Sequence, residues 1–184
     1  MILIMQHVIF KHLETLPHRS LSVAHGDMVV DKDDPITTLY VVRSGNVHLV
    51  RVREDGALVI LQRAGAGAIM AEASVFSNVY HCAAIAVQES VLMAYPVKAV
   101  RALLEARPEA ALAYARYLAD EVRDARQRAE ILALKTVSAR LEAWLTWNHG
   151  LLPGKGAWHH VADEIGISKE ALYRELSKRR KQEG

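Results

Sequence analysis

Cysteine is almost missing from this sequence: Cys82 is the only one in 184 residues. A single thiol excludes an internal disulfide framework, a multi-cysteine zinc site and an all-cysteine iron–sulfur cluster. No apolar run approaches the roughly 18 residues needed to span a bilayer, so no membrane partner is expected. The apolar start Met1-Ile2-Leu3-Ile4-Met5 has no basic stretch before it and no small-residue cleavage site after it, which argues against a signal peptide. No Ser/His/Asp, paired-carboxylate or Walker-type constellation stands out, so no catalytic residue is assigned and an enzyme is not expected. Charge of one sign is also lacking, because 23 basic side chains oppose 21 acidic ones. What is present, 51% hydrophobic and 24% charged residues, is the composition of a folded, cytoplasmic protein.

The charge becomes informative by position. Residues 1–107 hold 10 basic and 10 acidic side chains, whereas residues 168–181 hold six basic and two acidic. Positive charge gathered on one terminal segment makes nucleic acid a candidate partner.

The first half reads as short strands. Leu39-Tyr40-Val41-Val42 ends at Ser44-Gly45, and residues 47–52 alternate, with Val47, Leu49 and Val52 set against His48, Arg51 and Arg53. Glu54-Asp55-Gly56 supplies a hairpin turn before Leu58-Val59-Ile60-Leu61. Turn signals at residues 25–27, 33–35 and 65–67 suit an antiparallel roll. Residues 83–86 and 91–95 add strands, and Pro96 suits the first turn of a helix beginning near Val97.

The second half reads as helices. From Pro108 to Leu134 there is no glycine and no further proline, and strong helix formers dominate. Ala111, Ala115, Leu118, Val122, Ala125, Ala129 and Leu132 recur at alternating spacings of four and three, the seam of a coiled coil. Leu112, Tyr114, Tyr117 and Ile131 widen the apolar stripe toward the roll. A further helix over 136–148 presents Val137, Leu141, Trp144 and Leu145, and ends at Gly150 and Pro153-Gly154-Lys155-Gly156. The sequence therefore divides into 1–107, a strand-rich roll; 108–134, a long helix with a self-association seam; and 135–184, a terminal helical domain.

That terminal domain carries the pattern of a helix-turn-helix. Ala162 and Gly166 provide the small residue and the turn glycine, while Val161, Ile165, Ile167 and Leu172 form a core. Ser168 is a good N-cap. From the second helix, Arg174 can pair with guanine, Glu170 can accept from cytosine, and Lys169 suits a base edge or phosphate. Lys178, Arg179, Arg180 and Lys181 suit phosphates. His159-His160 reads as a solvated or phosphate-contacting pair rather than a metal site, and no metal site is assigned.

In this order, roll, long helix and helix-turn-helix, the chain resembles the CRP/FNR family of transcription regulators almost end to end. Ser168-Lys169-Glu170-Ala171-Leu172-Tyr173-Arg174 is similar to that family's recognition pattern, and Leu39-Tyr40-Val41-Val42-Arg43-Ser44-Gly45 to its strand-and-glycine motif. The resemblance implies an α+β fold: an antiparallel, cyclic-nucleotide-binding-like β-roll, a long dimerisation helix and a C-terminal helix-turn-helix. It implies a homodimer on a pseudo-palindromic double-stranded DNA site, with Ser168, Lys169, Glu170, Tyr173, Arg174, Lys178, Arg180 and Lys181 at the DNA and RNA polymerase as a further partner. The chain stops at Lys181-Gln182-Glu183-Gly184, where the family's wing begins, so a complete wing is not expected; whether that is natural or a truncation stays open. Arg179 stands where the family has an apolar residue. The alternative is a ligand-binding or protein-interaction module with a vestigial DNA-binding end.

The resemblance also places an effector pocket at Ala71, Glu72, Ala73, His81 and Cys82. Glu72 matches the acid that holds a ribose hydroxyl. Ala71 replaces the first glycine of the family's phosphate cassette, His81 its arginine and Cys82 its serine or threonine. A histidine cannot make the arginine's bidentate contact. Cyclic nucleotide, another small-molecule effector, haem through His81 or Cys82, and no ligand at all stay open as occupants, the last being the leading expectation.

Overall fold

A computed structural model describes residues 8–53 and 58–183. The chain falls into two compact units, Met1–Leu118 and Ala119–Gly184. The N-terminal unit opens with helix α1 (Ile9–Leu13), followed by strands β1 (Arg19–Val23), β2 (Met28–Val30), β3 (Thr38–Ser44), β4 (Asn46–Val52), β5 (Leu58–Gly65) and β6 (Ile69–Met70). A 3₁₀ turn, Glu72–Phe76, precedes β7 (Ala83–Ala86) and β8 (Ser90–Pro96), and helix α2 spans Val97–Ala106. Two antiparallel four-stranded sheets result, ordered β1-β8-β3-β6 and β2-β7-β4-β5. Helix α3 (Pro108–Ala133) begins in this unit and ends in the second, which also holds α4 (Val137–Trp147), α5 (Trp158–Glu164) and α6 (Lys169–Glu183).

Most expected strands and helices stand within a residue or two of where periodicity puts them. The unbroken run Leu39-Tyr40-Val41-Val42 is buried throughout, as expected of a strand covered on both faces. The β3–β4 connection depends on Gly45. Its φ is +90°, and a Cβ there would lie 2.1 Å from Ser90 Oγ and 2.6 Å from the Glu89 carbonyl oxygen. The hairpin turn read at Glu54-Asp55-Gly56 lies outside the described residues, although the β4–β5 ladder reaches it at the pair Val52 and Leu58.

Simple alternation fails in β4. The register shifts between Leu49 and Val50, so that Leu49 faces Gln62 and Val50 faces Ile60. Such a bulge turns the following side chains over. Leu49 and Val50 are therefore both buried, and Val52, expected inside, is 63% exposed. Pro96 is likewise the last residue of β8 and the N-cap of α2, rather than part of the helix's first turn.

Along α3, Tyr114 and Tyr117 do join the core of the N-terminal unit, the latter edge-on to Phe10 at 6.0 Å. Ala110 and Ala113 complete that stripe. Leu112 is 53% exposed instead, and Ile131 packs in the core of the second unit with Leu141, Trp144 and Leu172. The wider stripe is thus two stripes, one for each unit. Along the heptad seam, Ala111 and Leu118 are half-buried and Ala115, Val122, Ala125, Ala129 and Leu132 are exposed.

Replacing Gly45 with alanine forces an L residue into the left-handed region and its Cβ into backbone, so a loss of about 3 kcal/mol is expected. Urea unfolding monitored in the N-terminal unit measures it, and a loss below about 0.5 kcal/mol would contradict this account of the turn.

Candidate nucleic-acid interface and effector pocket

The terminal helices are held by a buried hydrophobic cluster and by the hydrogen bonds of Arg140 and Arg179. Val161 and Ala162 of α5 and its C-cap Ile165 cluster with Leu172 and Leu176 of α6 and Leu141 and Trp144 of α4, all buried. Ile167 packs against them half-buried, and Leu176 is a core member that the shorter pattern omitted. Trp144 Nε1 donates to Glu164 Oε2 at 2.6 Å. Arg140, not singled out from sequence, donates to four backbone carbonyls: Leu134 at 2.8 Å, Leu132 at 3.0 Å, Ile165 at 3.1 Å and Gly166 at 3.0 Å. These are the carbonyls at the ends of α3 and α5, which lack partners inside their own helices and favour a positive charge. Gly166, at φ +64°, leaves room for this approach, because a Cβ there would sit 2.8 Å from Leu132 Cδ2.

Ser168 caps α6, its Oγ accepting from the Ala171 amide at 3.2 Å. Its hydroxyl is thus committed to the helix. The Glu170 carboxyl lies below its ordinary 4.5, held there by a backbone hydrogen bond first and by Ser168 and Lys169 next. With Leu172 and Leu176 inward, the outward positions are Lys169, Glu170, Tyr173, Arg174, Lys178, Arg180 and Lys181, all exposed. Glu170, Arg174 and Lys178 recur every four residues and share one face. Tyr173, Arg174, Ser177, Lys178 and Lys181 line a surface groove of about 510 Å³. Tyr173 also rests against Trp158, ring centres 5.1 Å apart. His159 and His160 stack on each other at 3.8 Å.

Arg179 departs from its expected phosphate-facing role. It donates to Glu142 Oε2 at 2.5 Å, Glu175 Oε1 at 3.1 Å and the Ser138 carbonyl at 3.0 Å, tying α6 to α4. Position i+3 from Leu176 turns it toward α4, where a guanidinium is satisfied by these acceptors rather than by solvent. The Glu175 carboxyl is held below its ordinary 4.5, by a hydrogen bond from Ser138 first and by Arg179 next.

The sequence-assigned effector residues fall on two stretches of the chain, 71–73 and 81–82. Ala71 is buried and adopts φ +52°, ψ +45°, a left-handed conformation that glycine takes without strain. Glu72 and Ala73 follow in the 3₁₀ turn, Ala73 exposed. Gln62, overlooked in the sequence, braces this turn: its Nε2 donates to Glu72 Oε2 at 2.6 Å, and its Oε1 accepts from the Ala71 amide at 3.0 Å. Tyr114 Oη donates to the Glu72 carbonyl at 2.6 Å. Exposed His81 and buried Cys82 instead line a cavity of about 570 Å³ with Asp31, Lys32 and residues 50–52 and 83. Burial pushes the Cys82 thiol above its ordinary 9.0, the Arg51 guanidinium opposes this, and the Glu72 carboxylate adds to it. Among the described residues no group of three or more His, Cys, Asp or Glu could hold a metal ion, and no helix is long and apolar enough to cross a membrane.

Two outcomes follow from this geometry. Ala71→Gly relieves left-handed strain of about 1–2 kcal/mol against a smaller entropic cost, so stability rises by about 0.5 kcal/mol in denaturant unfolding; a decrease would show that the alanine is unstrained. Glu175, whose native value is lowered, contributes stability that is present above pH 4.5 and is lost as pH falls through the lowered value. Glu175→Gln is expected to flatten the fall in melting temperature of the C-terminal unit over that range, and an unchanged slope would remove Glu175 from the acid transition.

Residues 20–107 match the family model described as the cyclic nucleotide-binding domain. No curated protein matches the chain. Among solved structures, FixK2 from Bradyrhizobium japonicum is 20% identical with a TM-score of 0.72, covering 91% of this chain and 86% of that one. The c-di-GMP responsive global regulator CLP of Xanthomonas campestris is 20% identical, with a TM-score of 0.66 and coverage of 95% and 91%. A CRP-family transcriptional regulator from Thermus thermophilus is 21% identical, with a TM-score of 0.62 and coverage of 88% and 85%. At these identities the likeness establishes fold. Residues 20–107 therefore carry a domain of the cyclic nucleotide-binding type, and the chain as a whole is similar in fold to transcriptional regulators of the CRP family.

Proposed function

We propose that this protein is a cytoplasmic, dimeric, DNA-binding transcription regulator of the CRP/FNR type. In this reading residues 1–107 sense an effector, 108–134 form the dimerisation helix, and 135–184 form a helix-turn-helix with α6 as the recognition helix. One observation carries it: α6 buries Leu172 and Leu176 while presenting Lys169, Glu170, Arg174, Lys178 and Lys181 to solvent from a capped N-terminus. A helix so arranged fits the major groove, its first turns reading base edges and its later cations meeting phosphates.

The exposed seam from Ala115 to Leu132 supports self-association, because small residues at these positions let a second helix approach closely. Two copies would place two recognition helices on half-sites about one helical turn apart. The non-helical residues 134–136 between α3 and α4 are where an effector-dependent change in helix orientation would be absorbed. No step of this mechanism needs a catalytic group.

Site selection from random double-stranded DNA, followed by fluorescence anisotropy across a salt series, tests the reading. Arg174→Ala is expected to weaken the selected sequence by about 10- to 100-fold and to relax preference at one base pair. Lys178→Ala with Lys181→Ala should weaken all sequences alike and lower the salt slope by about two. Val122→Glu should shift the protein toward monomer in sedimentation and reduce DNA affinity with it. Absence of binding at low salt, or binding indifferent to Arg174 and Glu170, would reject DNA reading and leave a ligand-binding module.

A further inference from the structure

The sheet ordered β1-β8-β3-β6 carries a second cavity, of about 550 Å³, where α1 meets β3 and β8. Phe10, Val41 and Tyr95, all buried, and half-buried Met93 give it an apolar floor. Glu14, His18 and Arg43, all exposed, stand at its rim. It shares no residue with the cavity beside His81, and residues 71–73 do not line it. Its size is that of a site for a small organic molecule.

Backbone hydrogen bonds fix the walls of this cavity. Val41 pairs with Met93 across β3 and β8, and Tyr95, two residues on, lies on the same face as Met93. The β3–β8 register shifts between Val42 and Ser44, so Arg43 is the extra residue of a bulge, a feature that re-aims a side chain. The Val42 amide donates to the Ala68 carbonyl at 2.9 Å, and the Gly67 amide donates to the Val42 carbonyl at 2.8 Å. Gly67, at φ +84°, thereby brings backbone without a side chain to the edge of the cavity. On the opposite wall, Phe10 and the C-cap Glu14 are four residues apart, the spacing of one helical face. The His18 ring rests against Tyr95, with ring centres 5.1 Å apart.

The polar groups around the floor are unengaged. Tyr95 is only 4% exposed, yet its hydroxyl makes no hydrogen bond among the described residues and is not sealed from solvent. Buried tyrosine hydroxyls ordinarily have a partner, and here the cavity is where one would sit. Burial first, and the Glu14 carboxylate next, push the Tyr95 phenol above its ordinary 10.0, so at neutral pH it is a hydrogen-bond donor. Glu14 and Arg43 carry opposite charges, but neither side chain makes a hydrogen bond or ion pair among the described residues. The cavity therefore holds the two charges apart. His18 Nδ1 donates to the Leu16 carbonyl at 2.9 Å, which leaves Nε2 to accept.

We infer that this cavity binds a free α-amino acid with an apolar side chain: Arg43 and the Tyr95 hydroxyl hold its carboxylate, Glu14 and His18 hold its ammonium group, and Phe10, Val41 and Met93 receive its side chain. A guanidinium and a hydroxyl are the donors a carboxylate takes, and the planar fork of an arginine matches its two oxygens. A simple anion would meet Glu14 unpaired and a simple cation would meet Arg43 unpaired, so only a molecule with both charges satisfies both rim groups. The apolar floor then favours a ligand that covers it. This site is additional to the effector pocket expected at residues 71–73 and 81–82, and it stands independently of DNA reading by α6.

The test uses the full chain with L-phenylalanine and L-leucine as probes, followed by calorimetry and by the ring NMR signals of His18, assigned with His18→Gln. Both amino acids are expected to bind and to shift the His18 signals. Three analogues dissect the recognition: 3-phenylpropionate lacks the amine, phenethylamine lacks the carboxylate and glycine lacks the side chain. Each is expected to bind at least about tenfold more weakly than phenylalanine. Arg43→Gln should weaken phenylalanine by about tenfold and leave phenethylamine unchanged, whereas Glu14→Gln should weaken phenylalanine by about tenfold and leave 3-phenylpropionate unchanged. Both rim residues are exposed, so neither change threatens the fold; Tyr95→Phe, which keeps the ring, should also weaken phenylalanine. His81→Gln should leave its affinity intact. Neither amino acid producing heat or a His18 shift at millimolar concentration overturns the inference. So does binding of all three analogues as tight as that of phenylalanine, or phenylalanine affinity unchanged in Arg43→Gln and Glu14→Gln but lost in His81→Gln. No DNA enters the measurement, so its failure leaves the DNA-binding proposal standing, and absence of DNA binding leaves this one standing.

Discussion

One guanidinium organises the C-terminal unit. The ends of α3 and α5 each leave carbonyl oxygens without helical partners, and Arg140 collects four of them at 2.8–3.1 Å. The bonds to the Leu134 and Ile165 carbonyls are part-buried and those to Leu132 and Gly166 are exposed, so one side chain ties the two helix ends together. Arg140 sits in the first turn of α4, whose N-cap Thr136 accepts from the Ala139 amide at 3.1 Å. The cap starts α4 directly after the break, and the arginine then reaches back to α3 and across to the α5–α6 turn. Gly166 is the other half of this arrangement, because the turn must bring its carbonyl to Arg140 without a side chain in the way. The direction of α6, and so the surface it offers to DNA in the function proposed, depends on these contacts and on the Arg179 clasp to α4.

A comparable economy holds in the N-terminal unit, where Gln62 satisfies Ala71 and Glu72 together. Gln62 stands opposite Leu49, at the last pair before the β4–β5 register shift. Residues 50–52, which follow the shift, line the cavity beside His81. The left-handed Ala71 holds the backbone path that a glycine would take, at a cost in strain.

Much of the architecture was legible from periodicity. Strands β3, β4, β5, β7 and β8 and helices α2, α3 and α4 occupy the expected places because the hydrophobic patterns there are long and punctuated by Gly, Pro or a capping residue. The Ser168 cap, the Val161–Ile165–Leu172 core and the outward face of α6 were legible for the same reason. Val52 was misplaced because a bulge leaves no trace in composition. Leu112 and Ile131 were misplaced because a single helical stripe cannot reveal that it serves two cores. Arg179 was misread because a basic tail looks uniform until one member meets Glu142 and Glu175.

By itself, then, the sequence determined the order of elements, the charge gathered at residues 168–181 and the small-residue seam of α3. Each depends on neighbours within a turn or two of helix, or along one strand, where spacing translates directly into position. The tertiary structure alone decided which polar groups are already engaged. Arg140 with the carbonyls of Ile165 and Gly166, Gln62 with Glu72, and Arg179 with Glu142 are encounters between distant parts of the chain, set by strand register and helix crossing. Availability of a donor or acceptor is what converts a residue into a site, and it is a property of those encounters rather than of spacing along the chain.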